Sequence, residues 1–260
     1  MFFSPLYFAF LLPSLFLALF AQWRVKSTYA KMTQIPSENR LTGAQVARRL
    51  LDAQGLQNVQ VERVPGELTD HYDPREKVLR LSDGVYGSIS VAAQGIVAHE
   101  TGHAVQDKEN YAYLKLRGAI VPAVNIGSNF GWVLLLLGIF TGAIGIAWLG
   151  VALFSLGTVF ALVTLPVEFD ASNRAMKLLA SNGLVSRSEY GEAKSVLDAA
   201  ALTYLAAAAG AILQLLYYIM LVSGMGGGRR NQRGWPRLAI RTNGDRPTRG
   251  RSFSVREQRT

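Results

Sequence analysis

The chain has 260 residues, half of them hydrophobic and only 17% charged, which excludes a disordered chain and, because the apolar residues are bunched, argues against an ordinary soluble enzyme. It has no cysteine, so disulfides, thiolate catalysis and Cys-ligated zinc or iron–sulfur sites are excluded. The formal net charge of +9 is concentrated at one end: residues 229–260 hold ten arginines against Asp245 and Glu257, while residues 1–228 carry only +1, a nearly neutral body with a basic tail and not a global basic field.

Residues 2–22 carry no charge and are long enough to cross a hydrocarbon core. A cleaved signal peptide is the rival reading, but there is no basic n-region and Phe20-Ala21-Gln22-Trp23 is a poor cleavage site, so 1–22 is expected to be a transmembrane anchor. A polar segment follows over 23–118, with 13 Lys/Arg and 11 Asp/Glu. Within it, 41–56 reads as a short helix with Thr42 as N-cap. Val59, Val61 and Val64 look strand-like, Pro65-Gly66 is a turn, and 77–81 alternates again. Residues 88–109 read as a helix capped by Ser88 or Ser90. From 119 to 167 there are 49 residues without Lys, Arg, Asp or Glu, enough for two spans near 121–142 and 145–166. Their glycines sit at small-xxx-small spacings that allow close contact in lipid. Residues 168–200 read as polar helices interrupted by Asn182-Gly183, a C-cap pair. A fourth span is expected over 201–223 and a basic disordered tail over 224–260. Four spans put 23–118 and 168–200 on one side of the membrane. The expected fold is mainly α: an integral membrane protein of about four transmembrane helices with a small zincin-like α+β domain containing a short antiparallel hairpin.

Only three histidines occur, and two lie in His99-Glu100-Thr101-Gly102-His103, an H-E-x-x-H. On a helix the i, i+4 spacing puts both imidazoles on one face, and two imidazoles beside a carboxylate suit a catalytic Zn²⁺ with an open position. Glu100 then serves as the base beside the metal and not as a ligand. The alternative, two unrelated helix histidines, fits poorly when histidine is this scarce. With no cysteine, a third ligand must be a carboxylate or His71. Glu168 is the leading candidate, because it opens a polar helix directly after an apolar span, where an unpaired charge is costly. Its bland reading is an acid in a first helical turn. Asp170 is the runner-up, and Asp107, four residues past His103, is expected to be solvated or to support the site. His71 and Tyr72 sit in a polar and aromatic cluster, LTDHYDP, that either lines a cleft and donates to an oxyanion or forms a hydrogen-bonded turn before Pro74.

The segments LTGAQVARRLLDAQGL, ELTDHYDP, KVLRLS, VAHETGHAVQD and LPVEFDASNRA together resemble the YugP-like family of neutral zinc metallopeptidases over about residues 28–223. More distantly the layout is similar to HtpX-like and CAAX-prenyl-protease-like membrane gluzincins, which carry a later E-F-x-A-D-x-x-A. The resemblance implies His99, His103 and Glu168 as ligands of one catalytic zinc and Glu100 as the base. Ser172 departs from that pattern, since those relatives have Asp there, a residue expected to support a ligating histidine. Asp170 is the candidate substitute. By the same analogy a strand near 69–72 or 78–81 pairs with substrate backbone.

The expected function is a membrane-anchored zinc endopeptidase acting on membrane or juxtamembrane protein substrates. The alternative is a non-catalytic, zinc-containing membrane scaffold working through its basic tail, which is expected to contact anionic lipid or acidic partners. Nucleic-acid binding through the tail is the weakest reading. The expected location is a bacterial-type cell membrane, multi-pass. Basic residues flank the spans on both sides, and the larger count favours a cytoplasmic active site.

Overall fold

The structure is a computed structural model that describes residues 4–230; of the tail expected over 224–260, residues 231–260 lie outside the described residues. The first helix, α1 (Pro5–Met32), starts with Pro5 at its first position and with the Ser4 hydroxyl accepting the Tyr7 amide at 3.2 Å, which satisfies one donor that a helix start leaves unpaired. The next, α2 (Gly43–Ala53), is closed by a reciprocal capping box between Thr42 and Gln45.

Three short strands follow: β1 (Gln60–Val64), β2 (His71–Asp73) and β3 (Val78–Ser82), in sheet order β1-β3-β2. The antiparallel pair is β2 with β3, whereas β1 lies parallel to β3 on its other side. The valine-rich strand is therefore not the hairpin partner of 77–81. That partner is the three-residue β2, which is too short to show an alternation of its own. Central β3 buries Val78, Leu79 and Leu81, and β2 is left as an edge.

After the single turn α3 (Asp83–Tyr86) comes α4 (Val91–Lys108), capped by the Ser90 hydroxyl. Thirteen of its 18 residues are buried, so it has no solvent-facing stripe and runs through the middle of the polar domain. Around it pack α2, the sheet, α6 (Ile144–Ser181) and α7 (Arg187–Arg230). Leu50, Leu51, Leu79, Leu81, Val97 and Leu179 form the core of this domain.

The helical hairpin of α5 (Ala112–Thr141) and α6 turns at Gly142, whose φ of 68° is left-handed. Its two arms touch backbone to backbone: a Cβ on Gly138 would lie 2.2 Å from the Ala147 amide nitrogen. A second core, around Leu135, Val151, Tyr217, Tyr218 and Val222, holds the hairpin to α7. Helices α1, α5, α6 and α7 are each long and apolar enough to cross a membrane. They expose Phe16, Phe130 and Phe140, as surfaces facing lipid do. The chain is thus a mainly α membrane protein with a small mixed domain at one end of a four-helix bundle.

Two of the spans do not stop where the polarity changes. Helix α6 continues through Pro166 and Glu168 to Ser181, and α7 runs from Arg187 across Ala199-Ala200-Ala201 without a breaker. Each is one rod, half in the bundle and half in the polar domain.

Candidate metal centre

Helix α4 carries His99 and His103 one turn apart on one face, with Glu100 beside them, and α6 brings Glu168 against the two histidines. The approach is close because residue 102 is glycine: a Cβ there would sit 2.7 Å from the Ala171 carbonyl oxygen of α6. One ligand atom from each of His99, His103 and Glu168 lies within 4.8 Å of the others. Glu168 Oε2 is 3.2 Å from His99 Nε2 and 3.5 Å from His103 Nε2. Glu168 is 3% exposed and His99 9%, so the cluster is largely buried, with His103 and Glu168 bordering a cavity.

The outer nitrogens of both imidazoles are occupied. His99 Nδ1 lies 3.2 Å from Ser172 Oγ. His103 Nδ1 lies 3.0 Å from Gln106 Oε1. The Gln106 amide nitrogen donates to the Val167 carbonyl and to Asp170 Oδ2, both at 2.8 Å, so its Oε1 is an acceptor and His103 Nδ1 carries the proton. In the neutral ring the Nε2 lone pair then faces a carboxylate oxygen. A lone pair and an anion at that distance repel unless a cation lies between them. Burial works against charge on His103, but the Glu168 and Glu100 carboxylates outweigh it and raise its pKa. The cluster is built to hold positive charge, whether proton or metal, and two imidazole nitrogens with one carboxylate oxygen are a donor set that fits zinc.

The second oxygen of Glu168 is held separately. Arg117, at the start of α5, donates to Oε1 at 3.0 Å and stacks over the Phe160 ring at 5.9 Å. One carboxylate oxygen thus faces the histidines and the other is fixed by a guanidinium.

Glu100 points elsewhere. Its Oε2 accepts the backbone N–H of Tyr72 on edge strand β2 at 3.0 Å. Burial pushes its carboxyl pKa up, and the two imidazoles pull against that shift. Two cavities open on either side of it, about 480 Å³ and about 200 Å³, and both are lined by Asp70, Glu100 and Tyr204.

The remaining sequence candidates fall in different places. Ser172, the position singled out as a departure from the gluzincin pattern, sets its hydroxyl against His99. Asp170 reaches His103 only through Gln106, and it also pairs with Arg174. Asp107 does not reach the three groups. It accepts the Tyr72 hydroxyl at 2.7 Å and pairs with Lys77, pinning β2 and the turn that follows it to α4. His71 is exposed, with Nδ1 2.8 Å from the Thr69 carbonyl oxygen, and it lines the larger cavity. Sequence reasoning missed Gln106, Arg117 and Tyr204. The signals were weak but present: an amide one turn past His103, a cation bordering an apolar run, and a phenol at the start of the last span.

The chain matches the family described as "Putative neutral zinc metallopeptidase" over residues 7–223. It is 44% identical over 205 residues to "Putative membrane protease YugP" of Bacillus subtilis (strain 168), covering 79% of this chain and 91% of that protein. No solved structure matches.

Proposed function

The chain belongs to this family of neutral zinc metallopeptidases, and on that footing we propose that it is a membrane-embedded zinc endopeptidase of the H-E-x-x-H plus Glu type, cleaving membrane or juxtamembrane protein substrates. The observation that carries this reading is the pair of imidazole nitrogens facing one buried carboxylate oxygen, 3.2 and 3.5 Å away, next to a carboxylate that is not part of that set.

His99, His103 and Glu168 would hold one zinc ion. Bound there, zinc supplies Lewis acidity to the scissile carbonyl and to the attacking water. The other steps belong to the chain. Ser172 and Gln106 fix the ring orientations, and Arg117 fixes the outer oxygen of Glu168 and so aims its inner one at the histidines. Glu100, held by the Tyr72 amide, takes a proton from water as its oxygen attacks the carbonyl carbon. As the C–N bond breaks, Glu100 delivers that proton to the departing amine. Arg117 and Glu168 both border apolar runs, so the site lies at the level where the spans end, suiting a substrate presented at the bilayer surface. The balance of basic residues favours the cytoplasmic face of the cell membrane.

The test is metal content and casein cleavage by the detergent-purified full chain. Wild type should hold about one zinc and Glu168→Ala should lose it. Glu100→Gln should keep zinc while its turnover falls about 10²–10⁴-fold. A metal-free wild type, or full activity in Glu100→Gln, would sink the proposal.

A further inference from the structure

We propose that the smaller cavity, about 200 Å³, is a specificity subsite that takes an apolar side chain of leucine-to-phenylalanine size from one of the two residues flanking the scissile bond. This rests on the peptidase reading and deepens it.

The cavity adjoins the reacting groups, since His99, Glu100 and Tyr204 form part of its wall. The rest of the wall is mainly aliphatic, from Val25 of α1, Leu68, Ile96 of α4, and Val196, Leu197 and Ala200 of α7, with Asp70 and Thr203 as its polar members. Ile96 stands one turn before His99. The Thr203 hydroxyl donates to the Ala200 carbonyl at 2.7 Å, so its proton is already committed within α7. A dry aliphatic cavity of about 150 Å³ is large enough to bind benzene, so this one has room for a branched aliphatic side chain or a single aromatic ring.

The larger cavity is also lined mainly by apolar surface, but it adds the cations Lys115 and Arg117 beside Asn110 and Tyr111, so it can take the backbone and polar groups of the continuing polypeptide. With the two cavities meeting at Glu100, the bond between them is the one positioned for cleavage. Val25 and Thr203 lie at the ends of the first and last spans, so the apolar side chain enters where α1 and α7 leave the bilayer.

The experiment uses the detergent-purified full chain and a peptide set in which the residues on either side of one cleavage site are varied among Gly, Ala, Leu, Phe and Lys. Wild type should prefer Leu or Phe over Gly at one of the two positions by at least about tenfold in kcat/KM, the scale a hydrophobic pocket delivers. Ala200→Leu fills the cavity and should erase that preference, mainly through KM. Ile96→Ala enlarges it and should move the preference from Leu toward Phe, which keeps the test alive if Ala200→Leu loses its zinc. The same ranking should appear as peptide affinity in the Glu100→Gln background, where nothing is cleaved. An unchanged Leu-to-Gly ratio in both cavity variants overturns the subsite while leaving the peptidase intact. Failure of wild type to cleave any peptide, or cleavage that survives Glu100→Gln, overturns the peptidase reading and the subsite with it.

Discussion

The polar domain and the helical bundle are held together by different physics. Around α4, position is set by directed contacts. Gln106 bridges His103 to Val167 and Asp170, Asp107 ties β2 to the helix, and Asn39 links Gln94 to the Leu184 carbonyl. In the bundle, position is set by shape. Gly138 lies against Ala147, and Gly150 against Leu135, with no room for a methyl group. Lipid gives helices no hydrophobic reason to associate, so close fit must supply the attraction there. A centre that needs ångström-level placement is therefore assembled in the directed half, with one residue delivered from the shape-fitted half.

The sharpest way to break this contrast is at Gly102, where both kinds of contact meet. Gly102→Val drives a side chain into the Ala171 carbonyl and should push α6 from α4, cost about 1–3 kcal/mol and abolish zinc binding, read by metal analysis and thermal scan. Gln106→Leu leaves His103 Nδ1 and Asp170 without their amide and should weaken zinc affinity about 10–100-fold, as measured by competition with a chelator. Gly138→Leu, by contrast, should lower the melting temperature while leaving zinc stoichiometry unchanged, because its clash lies far along the hairpin. Loss of zinc in that variant would mean that the two regions are less separable than described. The smallest effect is expected at Ser172→Ala, which removes one weak contact to His99 and should cost only a few-fold in zinc affinity, at the low end of what a supporting partner contributes.

A pH effect sharpens the same contrast on the directed side. Asp70, between the two cavities, accepts the Ser82 amide and hydroxyl at 2.8 and 2.9 Å. Burial raises its pKa, with the Ser82 bonds pulling the other way. The folded state then holds the Asp70 proton more tightly than the unfolded state does. Its stabilising contribution is present below the ordinary Asp pKa and is lost as pH rises through the raised value. In Asp70→Asn this loss should vanish, so the melting temperature of wild type relative to the variant should fall between acid and neutral pH. A ratio that stays flat would show that the Ser82 bonds cancel the burial.

Much of this was legible in the sequence because the signals were local. The i, i+4 histidines, the uncharged 119–167 stretch and the carboxylate directly after it need only neighbours along the chain. What stayed hidden depends on approach between distant segments. No pattern within 59–64 says that the strand will lie parallel to β3, and three residues are too few for β2 to announce itself. The change in polarity near 168 and 200 marks a boundary of environment, yet the helices run through it because nothing there breaks hydrogen bonding. Arg117 reads as an ordinary flanking cation until Glu168 is placed 3.0 Å from it. The serine at 172 reads as a defect against the relatives' pattern, and the fold sets its hydroxyl on His99.

The continuity of α6 also has a practical consequence for dissection. His99 and His103 precede two membrane crossings and Glu168 follows them, on a rod that is itself half embedded. Excising the water-facing part between the first and second spans yields a fragment with two of the three groups and no means of recovering the third. The centre is indivisible from the hydrophobic part of the molecule, so its chemistry has to be studied with the spans in place.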